Sequence, residues 1–219
     1  MFTIKVKGVS SFAFWMCMSI GIIALSSIDI TPLFGVSQKS LTLGSLLMPL
    51  AGSLAFWFAP AVAVLRTLCA FATTGSYLAL FLYIPGFCGA LAWRSTNLLM
   101  HIIVPLSCMI AFILHPQGHD AWVYTLYWLI PIALFFVRTP SLFKRALAAT
   151  FITHAVGSVL WLYMYAIPTH VWHSLLFVVP VERLLFALAL VSVYNTAHVV
   201  LSILQLQRKG RFIQRWNVH

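Results

Sequence analysis

Apolar residues along this chain fall into runs of about 20 residues, and only short polar interruptions separate the runs. A helix that rises about 1.5 Å per residue needs about 20 apolar residues to cross a hydrocarbon core of about 30 Å. Strict alternation of apolar and polar residues over about ten residues is typical of a strand in a transmembrane β-barrel, and it does not occur here. The pattern therefore predicts membrane-spanning helices. The predicted segments are 10–28, 41–58, 61–84, 97–114, 121–137, 146–167 and 179–205.

Proline and glycine residues divide the early apolar part of the chain. The stretch 41–93 is too long for one crossing, and Pro49, Pro60, Pro85 and Gly86 interrupt it. Because proline removes a backbone donor, it kinks or ends helices. We therefore predict separate segments in this stretch, and the one around Pro49 either crosses the membrane or dips in and returns.

Segment 10–28 is the first apolar run, and Lys5 and Lys7 precede it. We predict that it is a retained first helix, with a cleaved signal peptide as the alternative. Polar stretches between later segments are too short to form a separate folded domain. The sequence thus predicts one integral-membrane domain, 1–219, which is an all-α polytopic transmembrane helix bundle with six to seven membrane segments.

The composition indicates that the chain is embedded in lipid. Only 7% of the 219 residues are charged, whereas 62% are apolar. A soluble domain has about a quarter charged residues to keep its surface hydrated. The formal net charge of +10 comes from 13 Lys and Arg against three acidic residues. The basic residues lie mostly between apolar segments, where they meet anionic headgroups, so we expect membrane lipids and no nucleic acid as partners.

The distribution of the basic residues predicts an orientation. Loops 94–96 and 138–145 and the tail 207–219 carry most of the positive charge, whereas loops 115–120 and 168–174 carry no Lys or Arg. Because the cytoplasmic side of a membrane protein collects Lys and Arg, we expect a basic cytoplasmic tail in a bacterial inner (plasma) membrane protein. Both chain ends are predicted inside if segment 41–58 does not fully cross.

Two ionisable residues are predicted at membrane depth. Arg66 follows Pro60, and Glu182 follows Pro180 near the outer end of the last segment. Such groups are costly unless paired or solvated, which makes them functional candidates. They are expected either to form a packing salt bridge or to bind a ligand. Arg183 is not expected to pair with Glu182, since sequence neighbours on a helix point apart.

Polar stripes at helical spacing lie on the last two segments. His154 with Ser158 and Trp161 forms one stripe, and Asn195 with His198 belongs to the other. These residues are expected either to hydrogen-bond between helices or to line one polar cavity. Under the second interpretation they bind a substrate together with Glu182 and Arg66.

Histidines also cluster in the two loops assigned to the outer face. His115, His119, His170 and His173 could ligate zinc or iron, or they are half-solvated interfacial residues. The spacing of the first pair spans Pro and Gly and has no helical rationale. We predict no metal site and no cofactor, and keep these four histidines as the alternative metal ligands.

Two stretches resemble the substrate-binding subunits of energy-coupling factor vitamin transporters, and the biotin-type subunit most closely. One is ITPLFGVSQKSLTLG (30–44), and the other is GSVLWL (157–162) followed by PVE (180–182). The resemblance implies a substrate site roofed by the loop 30–40 and floored by the last helices, with Glu182 as a polar contact.

The expected function is therefore that of a membrane uptake protein, a substrate-capture subunit that binds a small vitamin-like molecule from the outer face. It would depend on partners for energy, namely a coupling membrane subunit and ATPases. No P-loop, G-x-S-x-G or H-E-x-x-H motif occurs, so no catalytic residue is predicted. The alternatives are an integral-membrane enzyme that uses the outer histidines with a metal or as acid-base groups, and a structural or assembly membrane protein.

Overall fold

The computed structural model describes residues 29–30, 41–42, 48–53, 58–77, 81 and 83–216. Within these ranges the chain is helical almost throughout, which confirms the predicted helical class. The first predicted segment, 10–28, and the loop 31–40 lie outside the described residues. The α-helices of the described ranges are α1 (Phe58–Thr74), α2 (Ile84–Arg94), α3 (Val104–Leu114), α4 (Pro116–His119), α5 (Leu129–Phe136), α6 (Leu142–Tyr165), α7 (Thr169–Leu175) and α8 (Val178–Trp216).

A short antiparallel ladder is the exception to the helical pattern. Strand β1 (Asp29–Ile30) pairs with strand β2 (Leu41–Thr42). A 3-10 helix, Met48–Ser53, follows, with Pro49 as its second residue. The described part of the predicted segment 41–58 is therefore not one continuous helix, because proline at this position begins a separate short helix.

Helices α1 and α2 differ from the single helix predicted over 61–84. Helix α1 ends at Thr74, and Gly75 follows with a φ of +64°, a left-handed conformation that favours glycine and ends helices. Helix α2 begins at Ile84 with Pro85 in its first turn. The prediction that Pro85 ends a helix was wrong, because the missing N–H of proline costs no hydrogen bond in the first turn.

The predicted segments 97–114 and 121–137 are helical but irregular where they begin. A π-helical turn, Leu99–Ile103, precedes α3, and a 3-10 helix, Trp122–Trp128, precedes α5. The Asn97 side chain accepts a hydrogen bond of 2.8 Å from the backbone N–H three residues later. This bond satisfies one of the free donors at the helix start.

Two helices in the described ranges are long and apolar enough to cross a membrane. They are α6, Leu142–Tyr165, and the part of α8 that spans Val178–Val200. Both match predicted segments. Helix α8 continues to Trp216, so the described part of the predicted basic tail 207–219 is helical.

The outward-facing side chains in the first part of α8 are apolar. Val181, Leu184, Leu185 and Leu188 are each between 45% and 53% exposed. A surface helix of a soluble protein places polar side chains on this face. These outward-facing apolar residues therefore favour contact with lipid.

Helix α6 lies at the centre of the described bundle and contacts α2, α3, α5 and α8. Its contact with α2 is close, because a Cβ atom added at Gly89 would lie 2.0 Å from Oγ1 of Thr153. Two apolar core clusters pack along α6. The first cluster includes Trp93, Ile152, Ala187 and Leu190. The second cluster includes Phe112, Tyr124, Trp128, Trp172 and Val179.

Hydrogen bonds join the loops at each end of α6. At one end, Nη2 of Arg145 donates to the carbonyl oxygen of Arg94 at 3.2 Å. At the other end, Oγ1 of Thr169 donates to the carbonyl oxygen of Gln117 at 2.9 Å. The two basic loops thus share one end and the two histidine-bearing loops share the other. The side of the membrane on which each end of α6 lies stays a prediction.

Candidate functional site

A charged side chain lies on the buried face of α8. Val179, Ala187, Leu190 and Tyr194 follow one another at helical spacing and are at most 7% exposed. Arg183 belongs to the same stripe, one turn after Val179, and is only 5% exposed. The guanidinium therefore lies between the two apolar core clusters, where an unpaired charge would cost several kcal/mol.

Glu182 is the ion-pair partner of Arg183. Oε2 of Glu182 lies 2.7 Å from Nη2 of Arg183, and the two side chains are 27% and 5% exposed. The prediction that these sequence neighbours could not pair was wrong. Although their Cβ atoms point apart, both side chains are long enough for the charged ends to meet, and low dielectric strengthens their attraction.

The rest of the guanidinium has an apolar neighbour and a fully buried donor without a partner among the described residues. Its Cζ atom lies 4.4 Å from the centre of the Phe186 ring, a favourable cation–π arrangement. The Nε atom of Arg183 is buried and has no hydrogen-bond partner in the described part of the chain. A buried donor without a partner costs about 1–3 kcal/mol.

Three polar groups form a hydrogen-bonded set that joins the 3-10 helix before α5 to α6. The hydroxyl of Tyr124 lies 2.6 Å from Nε2 of His154 and 3.4 Å from Oγ of Ser158. Each of these groups can donate or accept, depending on the imidazole tautomer. Tyr124 belongs to the same core cluster as Val179, which lies one turn before Arg183 on α8. We call Glu182, Arg183, Tyr124, His154 and Ser158 the buried polar cluster.

Aromatic rings surround the Tyr124 side of the buried polar cluster. The centre of the Tyr124 ring lies 5.7 Å from that of Phe112, 5.0 Å from that of Trp172 and 6.1 Å from that of Trp128. Such contacts fix the ring and exclude water from it. The hydroxyl of Tyr124 is therefore held in place by packing before any ligand arrives.

The structure joins only part of the predicted substrate-binding set. Glu182 and His154 lie in the buried polar cluster. Asn195 and His198 are exposed on α8, and His198 is 15 residues beyond Arg183, which corresponds to about 22 Å along the helix axis. The two polar stripes therefore do not face one shared cavity.

Of the other two predicted binding residues, Trp161 has a described side chain, and it lies outside the cluster. Trp161 is half-buried on α6, and its ring stacks on Tyr165 with centres 4.9 Å apart. Arg66 lies in α1, and its side chain is outside the part of the chain that the structure describes. A binding role for Arg66 stays a prediction. The loop 30–40, expected to roof the site, also lies outside the described residues, except for its first residue.

The outer histidines do not form a metal-ligand group. Nδ1 of His115 accepts from a backbone N–H at 3.3 Å, and Nε2 of His173 lies 3.2 Å from the carbonyl oxygen of Asp120. His119 and His170 are exposed. In the ranges that the structure describes, no group of three or more His, Cys, Asp or Glu side chains could hold a metal ion.

Arg183 and Tyr124 are the cluster members that the sequence did not indicate. A signal for Arg183 was present, because it shares the helical spacing of Val179 and Ala187 and so had to lie on the buried face. Tyr124 had no such signal. It lies in a 3-10 helix, where side chains follow a different period from that of an α-helix.

No family model, no curated protein and no solved structure matches the chain. The site is therefore interpreted from its own geometry.

Proposed function

We propose that this protein is a polytopic inner-membrane uptake protein, a substrate-capture subunit that binds a small vitamin-like molecule from the outer face. It has six to seven membrane segments and a cytoplasmic C-terminus. A coupling membrane subunit and ATPases supply the energy, as the resemblance to the substrate-binding subunits of energy-coupling factor transporters implies.

The buried polar cluster carries this proposal. An ion pair lies on one of the two helices that are long and apolar enough to cross a membrane, and two of the three hydrogen-bonding groups lie on the other. Polar groups at such positions are costly and mark ligand pathways in membrane proteins. A few convergent polar groups among aromatic side chains are also typical of small-molecule sites.

The scarcity of acidic residues supports dependence on partners. Asp29, Asp120 and Glu182 are the acidic residues of the whole chain, and Glu182 is already paired with Arg183. Nucleotide hydrolysis needs carboxylates that hold Mg²⁺ and a loop that holds phosphates. The proposed capture subunit therefore takes its energy from other chains.

Ligand binding to the full-length protein in lipid nanodiscs tests the proposal. Biotin, thiamine, riboflavin, pantothenate and nicotinate are added one at a time, and the thermal unfolding midpoint is measured for wild type and Glu182→Gln. Asp120→Asn is the matched control, because Asp120 is exposed and lies outside the cluster. One compound at 100 times its Kd should stabilise wild type and the control by about 2.7 kcal/mol.

The same compound should stabilise Glu182→Gln much less. If every compound leaves the unfolding midpoint of wild type unchanged, or if Glu182→Gln is stabilised as much as Asp120→Asn, the proposed function is wrong.

A further inference from the structure

A cavity of about 280 Å³ lies between α1 and α2. None of the described residues that line it is charged, and most of them are apolar. Leu68 is 57% exposed and Ile84 is 37% exposed, so the cavity opens toward the outside of the bundle. An apolar cavity that opens on a lipid-facing surface fits a hydrocarbon chain. The lining includes Ala63, Thr67 and Leu68 of α1, Tyr83, and Ile84 and Phe87 of α2.

The wall that α2 contributes to the cavity continues along the helix to a cation. Ile84, Phe87, Leu91 and Arg94 follow one another at spacings of three and four residues, so they share one face of α2. Gly89 contacts α6 from the opposite face. Ile84 and Arg94 are ten residues apart, which corresponds to about 15 Å along the helix axis. Half of a hydrocarbon core of about 30 Å is also about 15 Å, so one acyl chain has the reach to connect the two ends of this stripe.

Arg94 lies at the basic end of the bundle. Nη2 of Arg145 donates to the carbonyl oxygen of Arg94 at 3.2 Å. Nζ of Lys144 donates to the carbonyl oxygen of Val137, directly before the exposed Arg138. Neither of the two loops at this end contains Asp or Glu, and the ion pairs among the described residues do not use Arg138 or Lys144. The charge at this end therefore favours an anion.

We propose that an anionic phospholipid binds here, with one acyl chain in the cavity between α1 and α2 and its phosphate at the basic end beside Arg94. The planar guanidinium can donate two parallel hydrogen bonds to phosphate oxygens, and Arg138 and Lys144 add electrostatic attraction. A zwitterionic lipid offers the same chains without a net charge, so it binds more weakly. The inference rests on the membrane insertion in the proposed function and is independent of the molecule that is taken up.

Phosphatidylglycerol and phosphatidylcholine with identical acyl chains are matched probes, because they differ in net charge and not in chain length. Each lipid is titrated into the full-length protein in a neutral detergent, and native mass spectrometry measures the bound fraction. Wild type should bind one phosphatidylglycerol at least about tenfold more tightly than phosphatidylcholine. Glycerol 3-phosphate, a headgroup without chains, should not displace phosphatidylglycerol, because the cavity supplies much of the binding.

One pair of variants tests the phosphate end. Arg94→Gln should weaken phosphatidylglycerol binding by about tenfold and leave phosphatidylcholine binding unchanged. Ser174→Glu is the matched control, because it lowers the net charge by the same unit at an exposed position of the histidine-bearing end. That variant should bind both lipids as wild type does.

A second set of variants tests the cavity. Ala63→Phe places a ring in the cavity, so it should weaken both lipids by about tenfold and keep the preference for phosphatidylglycerol. Ala61→Phe is the matched control, because Ala61 is exposed on the same helix and does not line the cavity. Leu68→Trp fills the same cavity from a more exposed position and decides the point if Ala63→Phe does not fold. Circular dichroism establishes which variants are folded.

Several outcomes would overturn the inference. These are phosphatidylcholine binding wild type as tightly as phosphatidylglycerol, displacement by glycerol 3-phosphate, equal effects of Arg94→Gln and Ser174→Glu, and unchanged lipid binding when the cavity is filled in a folded variant. If a vitamin stabilises the protein but the lipid preference is absent, the proposed function stands and the lipid site is wrong. If the lipid binds as described and no vitamin does, the lipid site stands and the uptake role fails.

Discussion

The hydroxyl oxygen of Tyr124 lies 2.6 Å from Nε2 of His154, although 30 residues separate them in the sequence. This hydrogen bond joins the 3-10 helix before α5 to the middle of α6. Ser158, one turn further along α6, is 3.4 Å from the same hydroxyl and 3.5 Å from the imidazole. The bond between Tyr124 and His154 is therefore the shortest of the three. Its loss should weaken the contact between the 3-10 helix and α6.

Tyr124→Phe should destabilise the protein. It removes the partner of Nε2 of His154, and Ser158 is too distant to replace it fully, so the expected loss is about 1–3 kcal/mol. Tyr163→Phe is the matched control, because its hydroxyl donates to the carbonyl oxygen of Ala111 at an exposed position. That variant should lose about 0.5 kcal/mol. Unfolding in detergent micelles measures both, and equal losses would contradict the central place of Tyr124.

Glu182→Gln should destabilise the protein by about 2–4 kcal/mol, because it leaves Arg183 buried without a counter-charge. This loss of stability should be smaller than that caused by breaking a fully buried ion pair, because Glu182 is 27% exposed. Replacing both residues by Met should recover most of the stability. The measurement is a double-mutant cycle on the free energy of unfolding with Glu182→Met, Arg183→Met and the double Met variant, and a coupling energy near zero would show that the pair is not a unit.

Gly89→Ala should destabilise the contact between α2 and α6 by about 1–3 kcal/mol. A Cβ atom there would lie 2.0 Å from Oγ1 of Thr153, and Thr153→Ala should relieve part of the clash. Gly157→Ala is the opposite case, because its nearest neighbour is a Pro85 side-chain atom at 3.7 Å. Replacing this helical glycine by alanine should raise the free energy of unfolding by about 0.5–1 kcal/mol. Unfolding midpoints that fall for both variants would refute the difference in packing.

Arg145→Ala should loosen the C-terminal end of α2. Its Nη2 atom donates to the carbonyl oxygens of Trp93 and Arg94, which lie in the last turn of that helix. Hydrogen exchange of the Ser95 amide, which donates to Leu91, should become faster by about tenfold. Lys144→Ala, next to Arg145, serves as the control, and equal rates in the two variants would argue against the capping role.

Replacing His115, His119, His170 and His173 together by Ala should leave the metal content of the protein unchanged. His115 and His173 already hydrogen-bond to the backbone, so their rings are oriented by protein groups. Elemental analysis after incubation with zinc measures this in wild type and variant. A stoichiometric zinc ion that wild type keeps and the variant loses would instead support the metalloenzyme alternative.

Much of the helical architecture could be predicted because apolar runs report helix length directly. Helix α6 and the apolar part of α8 match predicted segments. The boundary between α1 and α2 could not be predicted from residue type. A proline ends a helix when it lies in the helix interior and is compatible with a helix start when it lies in the first turn, as Pro85 does. Local residue type alone does not distinguish these two cases.

The candidate site was predicted in part, through Glu182 and His154. Arg183 was dismissed on the rule that adjacent residues point apart, which describes Cβ directions and not the reach of long side chains. Asn195 and His198 share a polar character with His154 but lie at a different depth of the bundle. Similar residue types on consecutive helices did not by themselves indicate a shared site.

The sequence by itself determined that this chain is helical and strongly apolar, and that its basic loops differ from its histidine-bearing ones. These properties depend on residue type and local period, which are written along the chain. Only the tertiary structure decided that Tyr124 meets His154 and that Arg183 pairs with Glu182 between two apolar clusters. Such contacts depend on how helices rotate and stack, and side-chain packing sets that arrangement across distances that no local pattern encodes.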